Sequence, residues 1–269
     1  MLSERIVGST LIYGCAPFTT ALDKLKKHGF SRIEMALEPE LCPHYDLAMA
    51  TDETDDAIAA ELDARGLSVT ALNVGDSMAY PMPMDLIVKR HYATLRLAKR
   101  LNVKKVIFAA GSTFERTQTE IEEIRGRMVP HLNEMGNYAK EMGIMLLLEV
   151  PHKLGITETP ELTEQFLNLM NENVYINFDG AHCIYGGGDP LTSVKKYADK
   201  IENFHLRDAV LGNTFVPYGA GNIDFQAIFD YMRNYGYKGT YTIEFLGANI
   251  EEADKMLDRA IEYFSEHNI

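Results

Sequence analysis

Four residues whose side chains commonly bind metal ions each follow a short apolar run in the C-terminal half of the chain. They are Glu149 in LLLEV, Asp179 in INFDG, His205 in NFHLR and Glu244 in TIEF. Three carboxylates that converge in a half-buried site repel one another strongly unless a cation lies between them. Oxygen-rich ligation with one imidazole suits Mn²⁺, and Mg²⁺, Co²⁺ or Zn²⁺ are alternatives. The sequence therefore predicts a site for one divalent ion with these four ligands.

Three further polar residues lie where they could reach the same site. His182, three residues after an aspartate, could contact substrate, bind a second metal ion or be structural. Arg207 could bind an oxyanion or a phosphate, or form a salt bridge with Asp208 or Glu202. Glu34 closes an apolar run and could hydrogen-bond a substrate hydroxyl or pair with a lysine or arginine. The substrate-binding residues that we predict are His182, Arg207 and Glu34.

Three other segments could shape the pocket. His152 could reach the site or lie on an exposed loop, and residues 80–84 could form an apolar wall or cap the core. Residues 209–221 are rich enough in glycine for a mobile cover, although an irregular surface loop is the alternative.

The candidate ligands must be positioned by elements whose alternation is visible along the whole chain. Short apolar runs cover residues 5–12, 31–36, 67–74, 103–109, 144–150, 174–179, 201–207 and 240–246. Amphipathic patterns between them cover residues 18–28, 51–65, 85–101, 119–142, 160–171, 190–199, 224–235 and 250–266. Because parallel strands need long crossover connections, repeated strand–helix units form a parallel sheet, and eight units can close a barrel.

A closed barrel is favoured over an open, doubly wound sheet. The first strand–helix connection, LIYGCAPFTT, lacks the G-x-G-x-x-G phosphate-binding pattern of that alternative. We therefore predict a single-domain (β/α)8 TIM barrel of the α/β class over residues 1–269. Active sites of such barrels lie at the C-terminal ends of the strands, so ligands on the last four strands are expected to converge.

The motifs LLLEVPH, INFDGAHC, FHLRDA with VPYGAGNIDF, and YKGTYTIEF cover residues 144–247. Together they resemble the xylose-isomerase-like sugar phosphate isomerase/epimerase superfamily, which includes ketose 3-epimerases, hydroxypyruvate isomerase and inosose dehydratase. The resemblance implies His182 and Arg207 as substrate contacts and Glu149 with Glu244 as an acid/base pair. It likewise implies Glu149, Asp179, His205 and Glu244 as metal ligands, and a homodimer or homotetramer.

This resemblance implies a divalent-metal-dependent isomerase or epimerase of a ketose, a ketose phosphate or a related 2-oxo polyol. One carboxylate would remove a proton next to a metal-bound carbonyl, and the enediolate would be reprotonated. A dehydratase of the inosose or dehydroshikimate type shares that first step and remains an alternative.

Two more distant functions are disfavoured. An apurinic-site endonuclease would need histidines after the third and fourth strands and an Asp-x-His pair after the seventh, where this chain has LNVGD, FAAGS and VPYGAG. A non-catalytic sugar-binding barrel would not need both proposed acid/base carboxylates.

Composition limits the partners and the compartment. The chain has 26 Lys and Arg against 39 Asp and Glu, a net charge of −13, which disfavours nucleic acid and anionic membranes. Cys15, Cys42 and Cys183 are too few for a disulfide framework, and we expect them to be unpaired and buried or half-buried. With no signal-peptide pattern at the start of this sequence, we expect a cytoplasmic protein that acts on a small sugar or polyol.

Overall fold

The computed structural model describes residues 2–39, 41–75, 83–110 and 117–269. Eight strands form a parallel barrel: β1 Ile6–Ser9, β2 Arg32–Ala36, β3 Ser68–Val74, β4 Lys105–Ala109, β5 Met145–Glu149, β6 Val174–Asp179, β7 Ile201–Leu206 and β10 Thr240–Ile243. They follow the order β1, β2, β3, β4, β5, β6, β7 and β10, and β10 pairs with β1 to close the ring. The predicted (β/α)8 barrel is confirmed.

Helices follow the strands on the outside of the barrel. They are α1 Phe18–Lys27, α2 Asp52–Arg65, α3 Met84–Arg100, α4 Gln118–Glu141, α5 Pro160–Leu167, α6 Gly180–Tyr185, α7 Pro190–Tyr197, α8 Phe225–Tyr235 and α9 Ile250–Ser265. The eight predicted helices are present, and α6 is an addition. Their ends follow local chemistry: the Thr159 side chain accepts from the Leu162 amide at the start of α5, and Gly66 ends α2 at φ 62°.

Two segments differ from the sequence prediction. The first strand ends at Ser9, because the Ser9 hydroxyl accepts from the Leu11 amide and begins a 3-10 turn over Thr10–Tyr13. Residues 209–221 do not form an irregular loop: β8 Asp208–Val210 and β9 Asn213–Val216 pair as an antiparallel hairpin. The Asp208 carboxylate stabilises the segment that follows, because it accepts hydrogen bonds from the amides of Gly219 and Gly221, each at 2.9 Å.

The interior of the barrel just below its C-terminal mouth is lined by polar side chains that hydrogen-bond to one another. Asn203 donates through Nδ2 to Glu34 Oε2 at 3.1 Å and to Asn177 Oδ1 at 2.9 Å. Thr242 donates to the same Glu34 oxygen at 2.9 Å, and Thr240 donates to Asn203 Oδ1 at 2.6 Å. These residues form the floor of the mouth. Because they are buried, their hydrogen bonds hold this floor in one arrangement.

Two sequence expectations concern cysteines and membrane association. Cys42 and Cys183 are buried free thiols, whereas Cys15 is exposed, so the expectation of burial was wrong for Cys15. Within the described residues, no helix is both long and apolar enough to cross a bilayer.

A buried histidine pair joins two outer helices to the barrel. Nδ1 of His91 in α3 lies 2.8 Å from Nε2 of His131 in α4, and the His91 ring stacks on Phe108 of β4 with 3.7 Å between ring centroids. Burial, assisted by the neighbouring His131, lowers the pKa of His91 well below its usual value. Burial also lowers the pKa of His131. The fold therefore holds both rings neutral.

This pair should make the fold sensitive to acid. An unfolded histidine has a pKa of about 6.5, so below that pH the two histidines bind protons in the unfolded chain. In the folded protein they stay unprotonated, and this difference favours unfolding. Stability from the neutral pair is therefore full above about pH 6.5 and is lost as pH falls. We expect His91→Gln to weaken this pH dependence by ~1–2 kcal/mol between pH 7 and pH 5. Urea unfolding at both pH values measures the free energy of unfolding. An unchanged difference between pH 7 and pH 5 in the variant would contradict the assignment.

Candidate metal centre and active site

The barrel brings the four predicted metal ligands to one point at its mouth. Glu149 ends β5, Asp179 ends β6, His205 lies in β7 and Glu244 directly follows β10, so they come from four neighbouring strands. Each offers a ligand atom within 4.8 Å of those of the other three, and all four residues are buried. The convergence follows from strand order, because adjacent parallel strands deliver their C-terminal residues to the same rim.

The charges in this cluster are strongly coupled. His205 Nδ1 lies 3.0 Å from Glu149 Oε1 and 3.1 Å from Glu244 Oε2. Burial opposes the imidazolium, but Glu244, Glu34 and Glu149 together raise the pKa of His205 well above its usual value. Burial would likewise raise the pKa of Glu149, yet the attraction of His205 outweighs it and lowers that pKa to about 2. A cluster of this kind requires positive charge at its centre.

The donor set therefore fits a divalent ion. Burial raises the pKa of Asp179 although Arg207 opposes the rise, and the Glu149 charge adds to it. This is the repulsion that a cation between the carboxylates would relieve. Three carboxylates and one imidazole nitrogen are ligands that Mn²⁺ and Mg²⁺ accept.

Arg207 lies at the same point as the carboxylates. Its Nη2 is 2.5 Å from Asp179 Oδ2 and 3.5 Å from Glu244 Oε2. The alternative of a salt bridge to Asp208 or Glu202 is wrong, since Asp208 caps the hairpin segment and Glu202 approaches a lysine of β4. Arg207 Nε is buried and has no hydrogen-bond partner among the residues that the structure describes.

His182 is buried beside Arg207 and is held neutral. Its Nε2 accepts from Arg207 Nη2 at 2.8 Å. Burial, with the positive charges of His152 and Arg207, lowers the pKa of His182 well below its usual value. His152 is half-buried and stacks on the His182 ring with 4.1 Å between centroids, so it belongs to the site rather than to an exposed loop.

The alternative of a second metal ion at His182 meets an electrostatic obstacle. Glu149, His152 and His182 do offer ligand atoms within 4.8 Å of one another. However, the guanidinium of Arg207 touches His182, and the charge of Lys153 also acts on that imidazole. Two neighbouring positive charges would repel a further cation, so the geometry favours one metal site.

Glu34 occupies a different position from the one that the sequence suggested. It is fully buried below the mouth, and its Oε1 lies 3.0 Å from His205 Nε2. Its Oε2 accepts from Asn203 and Thr242. Both Glu34 oxygens are thus bound by protein groups in this structure, with Oε1 facing the His205 imidazole.

Sequence reasoning gave no role to two residues at the ends of β2 and β3. Asn73 donates through Nδ2 to Glu244 Oε1 at 2.9 Å. Glu38 lies two residues beyond β2, where burial and the charges of Glu244 and Glu149 raise its pKa to about 8. Their place at C-terminal strand ends was the available signal. The apolar wall expected at residues 80–84 lies mostly outside the described residues.

Curated proteins similar in sequence are named as inosose dehydratases. One from Clostridium perfringens is 30% identical over 152 residues, which cover 49% of this chain and 48% of that protein. One from Klebsiella pneumoniae is 31% identical over 163 residues, or 53% of this chain and 52% of that protein. The matched part of the chain thus spans about half the length of these relatives.

A solved structure and a family model cover almost the whole chain. A xylose isomerase-like TIM barrel protein from Mycobacterium smegmatis, in complex with magnesium, has a TM-score of 0.75 and 15% identity, and the match covers 98% of this chain and 99% of that one. At this identity the likeness shows the fold alone. The family model described as xylose isomerase-like TIM barrel matches residues 22–267. The chain therefore belongs to the xylose isomerase-like TIM barrel family.

Proposed function

We propose that this protein is a divalent-metal-dependent isomerase or epimerase of a ketose or a related 2-oxo polyol. The observation that carries the proposal is the buried convergence of Glu149, Asp179, His205 and Glu244 at the barrel mouth. We propose these four as the ligands of one ion, with Mn²⁺ expected. When bound, such an ion supplies Lewis-acid stabilisation of negative charge on a substrate oxygen.

The two glutamates are the proposed acid/base pair, and their surroundings differ. Glu149 Oε1 faces His205, whereas Glu149 Oε2 forms no hydrogen bond with any described residue. Glu244 Oε1 is already held by Asn73. Because the pKa of Glu149 is low, its carboxylate is ionised at neutral pH and its second oxygen can take a proton from the carbon next to a carbonyl. In an isomerisation Glu149 returns this proton to the neighbouring carbon; in an epimerisation a protonated Glu244 gives its own proton to the opposite face of the carbon, and proton exchange with water then restores both carboxyl groups.

Arg207 and His182 orient the substrate beside these carboxylates. The unpartnered Nε of Arg207 can donate to a substrate oxygen, and its guanidinium remains charged because Asp179, Glu244 and Glu149 outweigh the effect of burial and raise its pKa. His182, neutral and bonded to Arg207, fixes the direction in which the guanidinium points.

A dehydratase is the second candidate, because the curated relatives named above are inosose dehydratases. Its first step is the same proton removal, after which the β-hydroxyl leaves with a proton supplied by a neighbouring acid. His152 is placed to serve as that acid, since it stacks on His182 next to Glu149.

Solvent deuterium incorporation tests both candidates. The Mn²⁺-loaded protein is incubated in D₂O with ketoses, ketose phosphates, hydroxypyruvate and inososes, and products are followed by NMR. We expect deuterium at a carbon next to the carbonyl of at least one compound. Net epimer or isomer identifies the first candidate, and loss of water identifies the second. Absence of exchange from every compound, with less than one divalent ion per chain, would refute the proposal.

A further inference from the structure

The guanidinium of Arg207 lies among the carboxylate oxygens of the candidate metal centre. Its Nη2 is 2.5 Å from Asp179 Oδ2, 3.5 Å from Glu244 Oε2 and 3.9 Å from Glu149 Oε1. All three carboxylates are proposed ligands of the divalent ion, so one nitrogen contacts an oxygen of each. A permanent positive charge therefore already balances part of the negative charge at this point.

Asp179 has only one oxygen that is not committed to the backbone. Its Oδ1 accepts hydrogen bonds from the amides of Ala181 at 2.7 Å and His182 at 3.2 Å, which begin helix α6. The other oxygen, Oδ2, is the atom that Arg207 contacts. An ion that binds Asp179 through Oδ2 must therefore share this oxygen with the guanidinium or take its place.

Sharing the oxygen would bring two cations close together. Mg²⁺ binds carboxylate oxygens at about 2.0–2.1 Å, so an ion on Asp179 Oδ2 would lie less than ~5 Å from Arg207 Nη2. The carboxylates are buried, and little water screens the repulsion between positive charges at this separation. The charge that disfavours a second ion at His182 thus also opposes the first ion at Asp179.

Arg207 can give up the carboxylates without leaving the mouth. Its side chain is 16% exposed, whereas that of Asp179 is 0% exposed, so the guanidinium lies on the solvent side of the cluster. Its Nη2 also donates to His182 Nε2 at 2.8 Å, and His182 is not one of the four proposed ligands. This contact can hold the guanidinium at the mouth when the contact with Asp179 breaks.

We propose that Arg207 is an internal counter-cation of the four-ligand cluster: it competes with the divalent ion for Asp179, and binding of the ion releases its guanidinium to the substrate. The inference rests on the proposed function, since that function supplies both the ion and the substrate. A substrate that binds the released guanidinium tightens the binding of the ion, and the ion tightens the binding of the substrate by the same factor. The cluster also holds its ion less tightly than the four ligands alone would.

Metal affinity measured without substrate tests the competition. Chelator competition at pH 8 gives the Mn²⁺ Kd of the unchanged protein and of its variants. We expect Arg207→Met and Arg207→Gln to bind Mn²⁺ at least ~10-fold more tightly, because the competing charge is removed. Arg207→Lys keeps the charge and should tighten binding much less. Arg100→Met is the matched control, since it removes the same charge from a side chain of α3 that is 53% exposed, and its Kd should not change.

The direction of the change distinguishes competition from a structural role. An arginine that only holds Asp179 in place would weaken Mn²⁺ binding when it is lost, so equal or weaker binding by both neutral variants would overturn the inference. Equal tightening by Arg100→Met would overturn it as well, because the effect would then follow net charge alone.

The same measurements separate the inference from the proposed function. If neither the unchanged protein nor any variant bound Mn²⁺, the proposed metal centre would fail and the inference with it. If the neutral variants bind Mn²⁺ more tightly but the unchanged protein shows no deuterium exchange, the competition is supported and only the isomerase chemistry fails.

Discussion

Glu149→Gln is expected to lower the rate of solvent deuterium exchange by ~10²–10⁴-fold. The amide cannot take up the proton, and the change also removes one negative charge from the candidate metal centre. Glu149 Oε1 lies 3.0 Å from His205 Nδ1, so the same change weakens the electrostatic attraction that keeps the His205 pKa high. Exchange measured by NMR, with Mn²⁺ content determined on the same sample, separates loss of the base from loss of the ion.

A matched variant makes that experiment specific. Glu172→Gln changes an equally charged side chain that is 87% exposed, and we expect exchange at the rate of the unchanged protein. The acid/base assignment would be refuted if Glu149→Gln retained normal exchange while binding one Mn²⁺ per chain. A variant that lost both Mn²⁺ and exchange would be retested at saturating Mn²⁺, where the loss of the base alone should still abolish exchange.

The sequence predicted the barrel because its signals are local. Hydrophobic period and helix caps, such as Thr159 with Pro160 and the glycine at residue 66, depend on neighbours a few positions away. The four candidate ligands were equally accessible, because each lies at the end of an apolar run and the C-terminal ends of barrel strands meet at the mouth.

The position of Glu34 could not be predicted in the same way, because it depends on depth inside the barrel. Glu34 pairs in register with Ala71, whereas Ala36 pairs with Asn73, so Glu34 lies one layer below the mouth. Side chains two residues apart on a strand point the same way but lie at different heights. The sequence identified the strand that carries Glu34 but not the layer of the barrel in which its side chain lies.

The hairpin after β7 was missed for a related reason. Its position depends on Asp208, whose carboxylate accepts from amides 11 and 13 residues further along the chain. Tyr218 adds a hydrogen bond from its hydroxyl to the Leu206 carbonyl at 2.8 Å. Neither contact has a periodic signature, so a glycine-rich segment looked irregular.

Glu34→Gln is expected to weaken Mn²⁺ binding by ~10–100-fold, the usual effect of removing a partner that orients a metal-binding histidine. In the folded protein Glu34 Oε1 lies 3.0 Å from His205 Nε2 and can accept its proton, so Nδ1, beside Glu149 and Glu244, is the nitrogen that would bind an ion. The amide of glutamine holds this tautomer less strongly because it lacks the negative charge. Chelator competition at pH 8 measures the Mn²⁺ Kd without reference to any substrate.

Thr242→Val separates the orientation of His205 from general damage to the barrel floor. This change removes the 2.9 Å hydrogen bond to Glu34 Oε2 and leaves the contact of Glu34 with His205 in place. We therefore expect Thr242→Val to shift the Mn²⁺ Kd much less than Glu34→Gln does. Equal shifts in the two variants would mean that Glu34 contributes only packing and hydrogen bonding to the floor. A shift confined to Glu34→Gln would establish that a carboxylate below the mouth sets the affinity of the metal centre, through an imidazole that it alone contacts at Nε2 among the described residues.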